Sequence, residues 1–552
     1  MSSWRNHYPR PQLRRDSFLP VLDGWRLNGS PIVVPFCPES TLSGYQGDLT
    51  EINVYETAFT LPEDFAPDGY QVLLHFGAVD QIAEVIVNGQ AVAYHEGGYL
   101  PFCCNITPAL RAGSNQLTVQ VTDTLNQDYP YGKQNKHPGG MWYTPVTGIW
   151  QTVWMESVPE TAIRGLKITP DLTGITLEVD TDAASCTAIV SLRGRDVACV
   201  SWAQTGQKQR IEIPKEDIQL WTPDSPTLYD LTLTAGADTV HSYFALRTLD
   251  IRPDRHGVSR LFLNGKPVFL NGVLDQGYFH DGHYTPGEPE EYERDVARMK
   301  ALGFNLLRKH IKVEPEAFYE ACDRQGMLVM QDMVNNGSYS FLLDTALPTI
   351  GLRCLPSRHV GPRRREIFRH CAVETVAHLY NHPCVIGYTI FNEGWGQFDA
   401  DRIYQELKAL DATRFYDTAS GWFVPKLTDV DSVHIYFRNK RLHPKKRPML
   451  LSECGGYTRK IDGHLWNPAK AYGYGKTETR EQLTAAIETL YEKMVYPAIP
   501  EGLCGVVYTQ LSHVEEEING LYTYDRAVCK VDPQRLRSVL ERASAILCKS
   551  AE

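Results

Sequence analysis

VFLNGVLDQGYFHDGHYTPGEPEEYERDVARMKALGFNLLRKH, residues 268–310, decides the fold class. An apolar run, VFLNGVLD (268–275), leads through a Gly- and Pro-rich connection to EYERDVARMKALG (291–303). There Tyr292, Val296, Met299 and Leu302 share one helical face before Gly303 stops the helix, and a second apolar run, FNLLRKH (304–310), follows at once. Strand, helix, strand in that order is the signature of a parallel βαβ unit. EPEAFYEACDRQG (314–326) repeats the helix, and six more strand candidates come after it: MLVMQDM (327–333), VIGYTIFNEG (385–394), RFYDTAS (414–420), SVHIY (432–436), PMLLSEC (448–454) and GVVYTQLS (505–512). Eight strands in a region slightly longer than the ~250 residues of a (β/α)8 TIM barrel predict that fold over 251–552, with an open doubly wound sheet as the alternative.

Upstream the rhythm differs. QVLLHFGAVD (71–80), AEVIVNGQAVAYHEGG (83–98), NQLTVQVTD (115–123) and IWQTVWMES (149–157) are short and alternate with period two, and Asn88-Gly89 sits between alternating apolar positions as a hairpin turn. After Pro159 a second set, including GITLEVDTD, CTAIVSLRG and YDLTLTAG, has the length of an immunoglobulin-like β-sandwich. The chain therefore divides into a β domain over 1–158, an immunoglobulin-like sandwich over 159–250 and the barrel.

At 552 residues, 43% hydrophobic and 22% charged, the chain can bury several cores, which excludes disorder. Its 55 Lys+Arg against 66 Asp+Glu leave −11 with no basic run, which argues against a nucleic-acid partner. No long uncharged apolar stretch and no leader pattern occur, so a cytoplasmic protein without a membrane partner is expected. The 13 Cys show no CxxC pairing or zinc spacing and read as reduced, mostly buried thiols. No GxGxxG or GxxxxGK[ST] follows a strand, which speaks against a nucleotide.

Barrel chemistry sits at the C-terminal ends of strands. Those ends carry Asp275, Arg308 with His310, Asp332, Asn392 with Glu393, His434 with Tyr436, and Glu453. Glu393 and Glu453 each close a strongly apolar strand and precede glycines, where an acid serves no packing purpose. Strands four and seven face one another across a barrel mouth, so the two carboxylates can share one substrate, as in glycosidases: ~5–5.5 Å apart for a retaining enzyme, ~6.5–9.5 Å for an inverting one.

PFCPESTLSG (35–44), NGQAVAYHEGGYLPF (88–102), YFALRTLDI (243–251), LDQGYFHDGHYT (274–285), RKHIKVEP (308–315), FNEGWGQFD (391–399) and TQLSHVEEEINGLYTYDR (509–526), in this order, resemble glycoside hydrolase family 2 over nearly the whole chain. The resemblance implies a jelly-roll sugar-binding domain before the sandwich and the barrel, and a carbohydrate substrate; the strand ends offer no full His/Asp ligand set, so no cofactor or metal is expected. It also implies a retaining mechanism in which Glu453 is the nucleophile and Glu393 the general acid/base, with Asn392 on the substrate 2-hydroxyl. Once Glu453 is esterified, Glu393 no longer faces a negative neighbour, which suits it to take a proton from water.

Further candidates for substrate binding are His310, with Arg308 orienting Glu453, and Tyr436 on the nucleophile beside His434. Asp275, with Tyr278 and Asp281, can reach hydroxyls from the loop after the first strand, and Trp395, Trp422 and Trp466 can stack on a sugar or leaving group. His513 with Glu515, Glu516 and Glu517 invites a metal reading, but three successive carboxylates cannot share one face, and His513 stands where the family motif has Asp. Asp80, His95 and Glu96 in the first domain read as scaffold. No Asn-x-Lys motif, which family β-glucuronidases use for the uronate, follows Glu453; Arg438-Asn439-Lys440 precedes it. A neutral sugar is therefore expected, galactose first, with mannose, glucuronate, glucose or arabinose specificity behind it. A noncatalytic carbohydrate-binding protein and a metal-dependent hydrolase are the rival classes. Large exposed β domains leave a homo-oligomer open.

Overall fold

The computed structural model describes residues 3–203, 208–349, 352, 361–436 and 439–551, so Arg438 lies outside the described residues. Leu19 to Pro159 build a jelly-roll sandwich of a four-stranded and a six-stranded antiparallel sheet. Its strands alternate as the sequence predicts: Val119 and Val121 of Ser114–Thr122 point into a core with Val85, Val87 and Tyr55 while their neighbours face outward. Ile82–Val87 and Gln90–Glu96 pair through Asn88 and Gly89, whose φ values of 51° and 83° are those of a type I′ turn.

Gly165 to Phe244 form the second sandwich, three strands against four. The first residues of the chain form no strand of the jelly-roll sheets but reach its last strand, where Arg15 Nη1 donates to Glu156 at 3.1 Å, and both other units. Arg14 pairs by backbone with His241, Arg15 grips Asp238 at 2.9 and 2.7 Å, Leu13 joins the core of the second sandwich, and Trp4 joins that of the barrel. This N-terminal strap ties the units together through the buried Arg15, which donates four hydrogen bonds, to Asp238, Glu156 and Ile163 O.

Eight parallel strands form the barrel: Leu270–Asp275, Leu306–Lys309, Leu328–Asp332, Val385–Asn392, Phe415–Ser420, Asp431–Ile435, Met449–Gly455 and Leu503–Thr509. The ladder runs from the fifth strand back through the first to the eighth, seventh and sixth, and a seam without ladder pairing separates the fifth from the sixth. Helices Glu290–Ala301 and Glu316–Gln325 lie where periodicity places them, the second ending on Gly326 at φ 74°. No helix among the described residues is long and apolar enough to cross a membrane.

Candidate active site

Arg308, at the end of the second strand and fully buried, organises the barrel mouth. Each of its five N–H groups has an acceptor on a neighbouring strand. Nε donates to Asp332 Oδ1 (3.0 Å), Nη1 to Ser452 O (2.9 Å) and Glu453 Oε1 (3.0 Å), and Nη2 to Asn392 Oδ1 (3.0 Å) and Ser420 Oγ (3.0 Å). A guanidinium is the one side chain whose planar fork serves five acceptors, so this single group fixes strands three, four, five and seven relative to one another.

Glu453 is 5% exposed and receives the Tyr436 hydroxyl on its other oxygen. Burial alone would push its carboxyl up, but the charges of His434, Arg308 and His310 and the Tyr436 hydrogen bond outweigh burial and hold it at about 2. It is thus an ionised carboxylate at neutral pH, although it is buried. Asp332 is likewise held below its ordinary range: burial is opposed by Arg308 and by His310, whose Nδ1 lies 2.7 Å from Asp332 Oδ2.

Glu393 sits at φ 56°, a left-handed conformation that costs a non-glycine residue of order 1 kcal/mol or more and marks functional sites. The turn aims the carboxylate across the barrel. His434 stands between the two acids: its Nδ1 is 2.8 Å from Glu393 Oε1 and its Nε2 3.6 Å from Glu453 Oε1. Gly421, at φ 92°, leaves room for it, since a Cβ there would lie 3.3 Å from His434 Nδ1. One oxygen of each glutamate and a His434 nitrogen all lie within 4.8 Å of one another, on the short side of the division between retaining and inverting geometries. The same three residues have metal-ligand spacing, but Arg308 and Tyr436 already occupy the oxygens of Glu453, and a guanidinium at 3.0 Å opposes a dication.

The structure thus gathers Asn392, Glu393, Glu453, Arg308, His310, His434 and Tyr436 into one cluster. Trp422 joins it: its indole donates to Glu393 O (3.2 Å) and its ring meets His434 edge-on. Trp395 is 3% exposed and packs among Tyr131, Trp142 and Tyr339, so it supports the wall beside Glu393 and offers little free face. Asp275 differs from expectation. It binds Lys309 Nζ at 2.5 Å and caps Gly277 N, and Lys309 also pairs with Glu314, so its oxygens are consumed in a buried ion cluster. Trp466 also differs: it is 46% exposed and its ring neighbours are His283 and Tyr524, outside the cluster.

The acidic triplet after the eighth strand does not converge on an ion. Its members each take a separate group from one loop of the jelly roll: Glu515 accepts from Thr144 N (2.9 Å), Glu516 from Gly140 N (3.3 Å), and Glu517 from the Tyr143 hydroxyl. His513 accepts instead from Lys530 Nζ (2.8 Å), which burial drives well below the ordinary lysine range. The clamp brings Lys133 to the mouth, where its charge acts on both Glu517 and His310. Lys133, Trp142, Tyr143 and Tyr339 were not legible as site residues. Nothing in GKQNKHPGGMWYTP ties a loop some 250 positions upstream to Glu393, and only the triplet EEE hints at a clamp.

Residues 44–159 match the sugar binding domain described for glycosyl hydrolases family 2, and residues 257–459 match the TIM barrel domain of that family. A β-galactosidase of Thermoanaerobacter pseudethanolicus is 25% identical over 501 residues, 84% of this chain and 61% of its own length. One from Enterobacter cloacae is 25% identical over 460 residues, 75% and 40% of the two chains. This chain therefore spans only 40% and 61% of those two curated relatives. Among solved structures, a β-D-glucuronidase of Dictyoglomus thermophilum superposes with TM-score 0.76 at 18% identity, covering 97% of this chain and 98% of its own. A β-galacturonidase of Eisenbergiella tayi bound to galacturonate gives 0.71 at 19%, covering 98% and 99%.

Proposed function

We propose that this chain, which belongs to glycoside hydrolase family 2, is a retaining, exo-acting β-glycoside hydrolase with Glu453 as nucleophile and Glu393 as general acid/base. The observation that carries the reading is the pairing of an enforced carboxylate, Glu453, with a second carboxyl group whose nearest oxygen is within 4.8 Å across the mouth. Glu453 Oε attacks the anomeric carbon as the glycosidic C–O bond breaks, and the departing oxygen takes the proton of Glu393. Glu393 then removes a proton from water, whose oxygen displaces Glu453 and regenerates both groups. Two displacements at one carbon retain its configuration.

Asn392 is held through Oδ1 by Arg308 and Ser420, and its amide N–H, without a hydrogen-bond partner among the described residues, is placed to meet the sugar 2-hydroxyl. His434 bridges both acids, with Nδ1 2.8 Å from Glu393 Oε1 and Nε2 3.6 Å from Glu453 Oε1. The loop carrying Tyr131, Lys133 and Tyr143 reaches Gly337 through the Tyr131 hydroxyl and Glu517 through the Tyr143 hydroxyl, and exo action is the reading that such a jelly-roll loop over the barrel favours.

A neutral sugar, galactose first, fits the missing Asn-x-Lys motif and the curated relatives. Lys133 favours a second reading, a β-linked uronide, because it is a cation at the mouth with no carboxylate in contact among the described residues. A panel of 4-nitrophenyl β-glycosides of galactose, glucose, mannose, galacturonate and glucuronate separates the two, and a 2-deoxy-2-fluoro analogue of the best substrate should label the Glu453 peptide. Labelling elsewhere, or inversion of configuration by NMR, would refute the assignment.

A further inference from the structure

A cavity of about 220 Å³ opens where the N-terminal strap, the jelly roll and two barrel helices meet, and it shares no residue with the catalytic cluster. His7 and Arg10 of the strap face it, as do His75 and Trp154 of the jelly roll, Glu316 at the start of helix Glu316–Gln325 and His378 near the end of helix Pro362–Leu379. Glu316 is 9% exposed, and its Oε2 is buried without a hydrogen-bond donor. His378 Nδ1 stands 3.9 Å from its Oε1 and His382 Nε2 3.8 Å from its Oε2, both beyond hydrogen-bond distance. His7 Nε2 and Arg10 Nε are likewise buried and unmade. Polar atoms left unmade on separate segments around one cavity call for an occupant that completes them.

The charges say which occupant. Burial would lower His382, but Asp323, 2.7 Å from its Nδ1, and Glu316 outweigh burial and raise it to about 9, so two carboxylates surround one imidazolium and one negative charge is left over. Arg10 is not within ion-pair distance of Glu316; its Nη2 turns to Glu156 at 3.4 Å. Burial would raise the Glu316 carboxyl, yet His382, His378 and Arg10 hold it below its ordinary range, while burial keeps the His7 and His378 imidazoles below theirs. An ionised carboxylate beside neutral imidazoles is the protonation state that a metal ion requires of its ligands. We propose that Glu316 and His378, with His7 from the strap, form a site for a divalent transition ion of zinc-like preference, outside the barrel mouth. Two ligand atoms each 2.0–2.2 Å from one ion can stand up to about 4.3 Å apart, and the 3.9 Å between Glu316 and His378 falls inside that limit. The three residues are not all within 4.8 Å of one another, as the acids and His434 are, so water from the cavity completes the sphere on the His7 side. The Asp323–His382 pair behind Glu316 is the outer partner that orients a ligating carboxylate. The site stands whether or not the glycosidase reading does.

The test titrates the chelator-treated full chain with Co²⁺, whose visible absorption reports its ligands, and then displaces it with Zn²⁺. The wild type should bind one ion, and Glu393→Gln, altered only at the mouth, should bind it equally well. Affinity should fall at least about 10²-fold in Glu316→Gln and in His378→Ala, and about 10-fold in His7→Ala. His7 and His378 are only half-buried, so those two variants carry the test if Glu316→Gln does not fold. Because the ion joins the strap to two helices, Zn²⁺ should also raise the wild-type Tm, an excess chelator should reverse the rise, and His378→Ala should lose it. No saturable binding up to millimolar Co²⁺ overturns the proposal. So does an ion lost in Glu393→Gln and kept in His378→Ala, which would place it at the mouth, or binding that is unchanged in both histidine variants.

Discussion

Arg308→Lys keeps the positive charge and discards the fork. The guanidinium serves five acceptors at 2.9–3.0 Å, and an ammonium has three donors, so at least two of Asp332, Ser452, Glu453, Asn392 and Ser420 lose their partner inside the barrel. At about 1–3 kcal/mol for each buried acceptor left unmade, the fold loses roughly 2–6 kcal/mol, visible as a lower Tm. The rate suffers as well, because Glu453 and Asn392 take their positions from this group; a displacement of ångström size costs about 10²-fold, and kcat/KM should fall roughly 10²- to 10³-fold. The acid limb of kcat/KM should stay where it is, since the retained charge still favours the ionised form of Glu453. Arg308→Gln should lower the rate and also move that limb to higher pH, because one of the charges holding Glu453 at about 2 is gone. An Arg308→Lys enzyme within threefold of wild type, or an Arg308→Gln enzyme with an unmoved limb, would refute the reasoning.

Glu393→Gln should still form the glycosyl-enzyme from substrates with strongly acidic leaving groups and then stall, with azide restoring turnover as the β-glycosyl azide; Glu453→Ala should give the α-azide, and product NMR distinguishes them. Glu453, at about 2 in the fold against roughly 4.3 unfolded, contributes roughly 3 kcal/mol that is fully present above pH ~4.3 and is lost as pH falls toward 2, so the Tm gap between wild type and Glu453→Gln should narrow steadily over that window. A constant gap would contradict it. Tyr143→Phe removes the hydroxyl that meets Glu517 and should lower Tm modestly, by the roughly 1 kcal/mol of one buried hydrogen bond, while raising KM through the loosened Lys133 loop. An unchanged KM would show that the loop does not shape the site.

All eight barrel strands and the Asn88-Gly89 hairpin were legible because they depend on period and turn chemistry within a few residues. That Glu393 and Glu453 come together at the barrel mouth was legible for a related reason: an acid closing an apolar strand has no packing explanation. What escaped depends on distance. Asp275 looked like a substrate contact until Lys309, its neighbour on the adjacent strand, claimed it, and cross-strand pairing cannot be read along one chain. The bridging position of His434 needed the register of the sixth strand against the seventh, which carries an irregularity between Val433 and His434. Trp142 and Tyr339 meet because contacts far apart in sequence, three carboxylates on one side and Tyr131 on Gly337 on the other, hold a distant loop over the barrel.

That loop has a consequence for anyone who divides the molecule. A barrel expressed from residue 251 onward would carry Glu515, Glu516 and Glu517 with their jelly-roll donors amputated and would present one flank of Glu393 as naked hydrophobic relief. Such a fragment would inherit Glu393 and Glu453 and forfeit the jelly-roll loop packed beside them, so the cleft is completed only by a unit larger than the barrel that carries both acids.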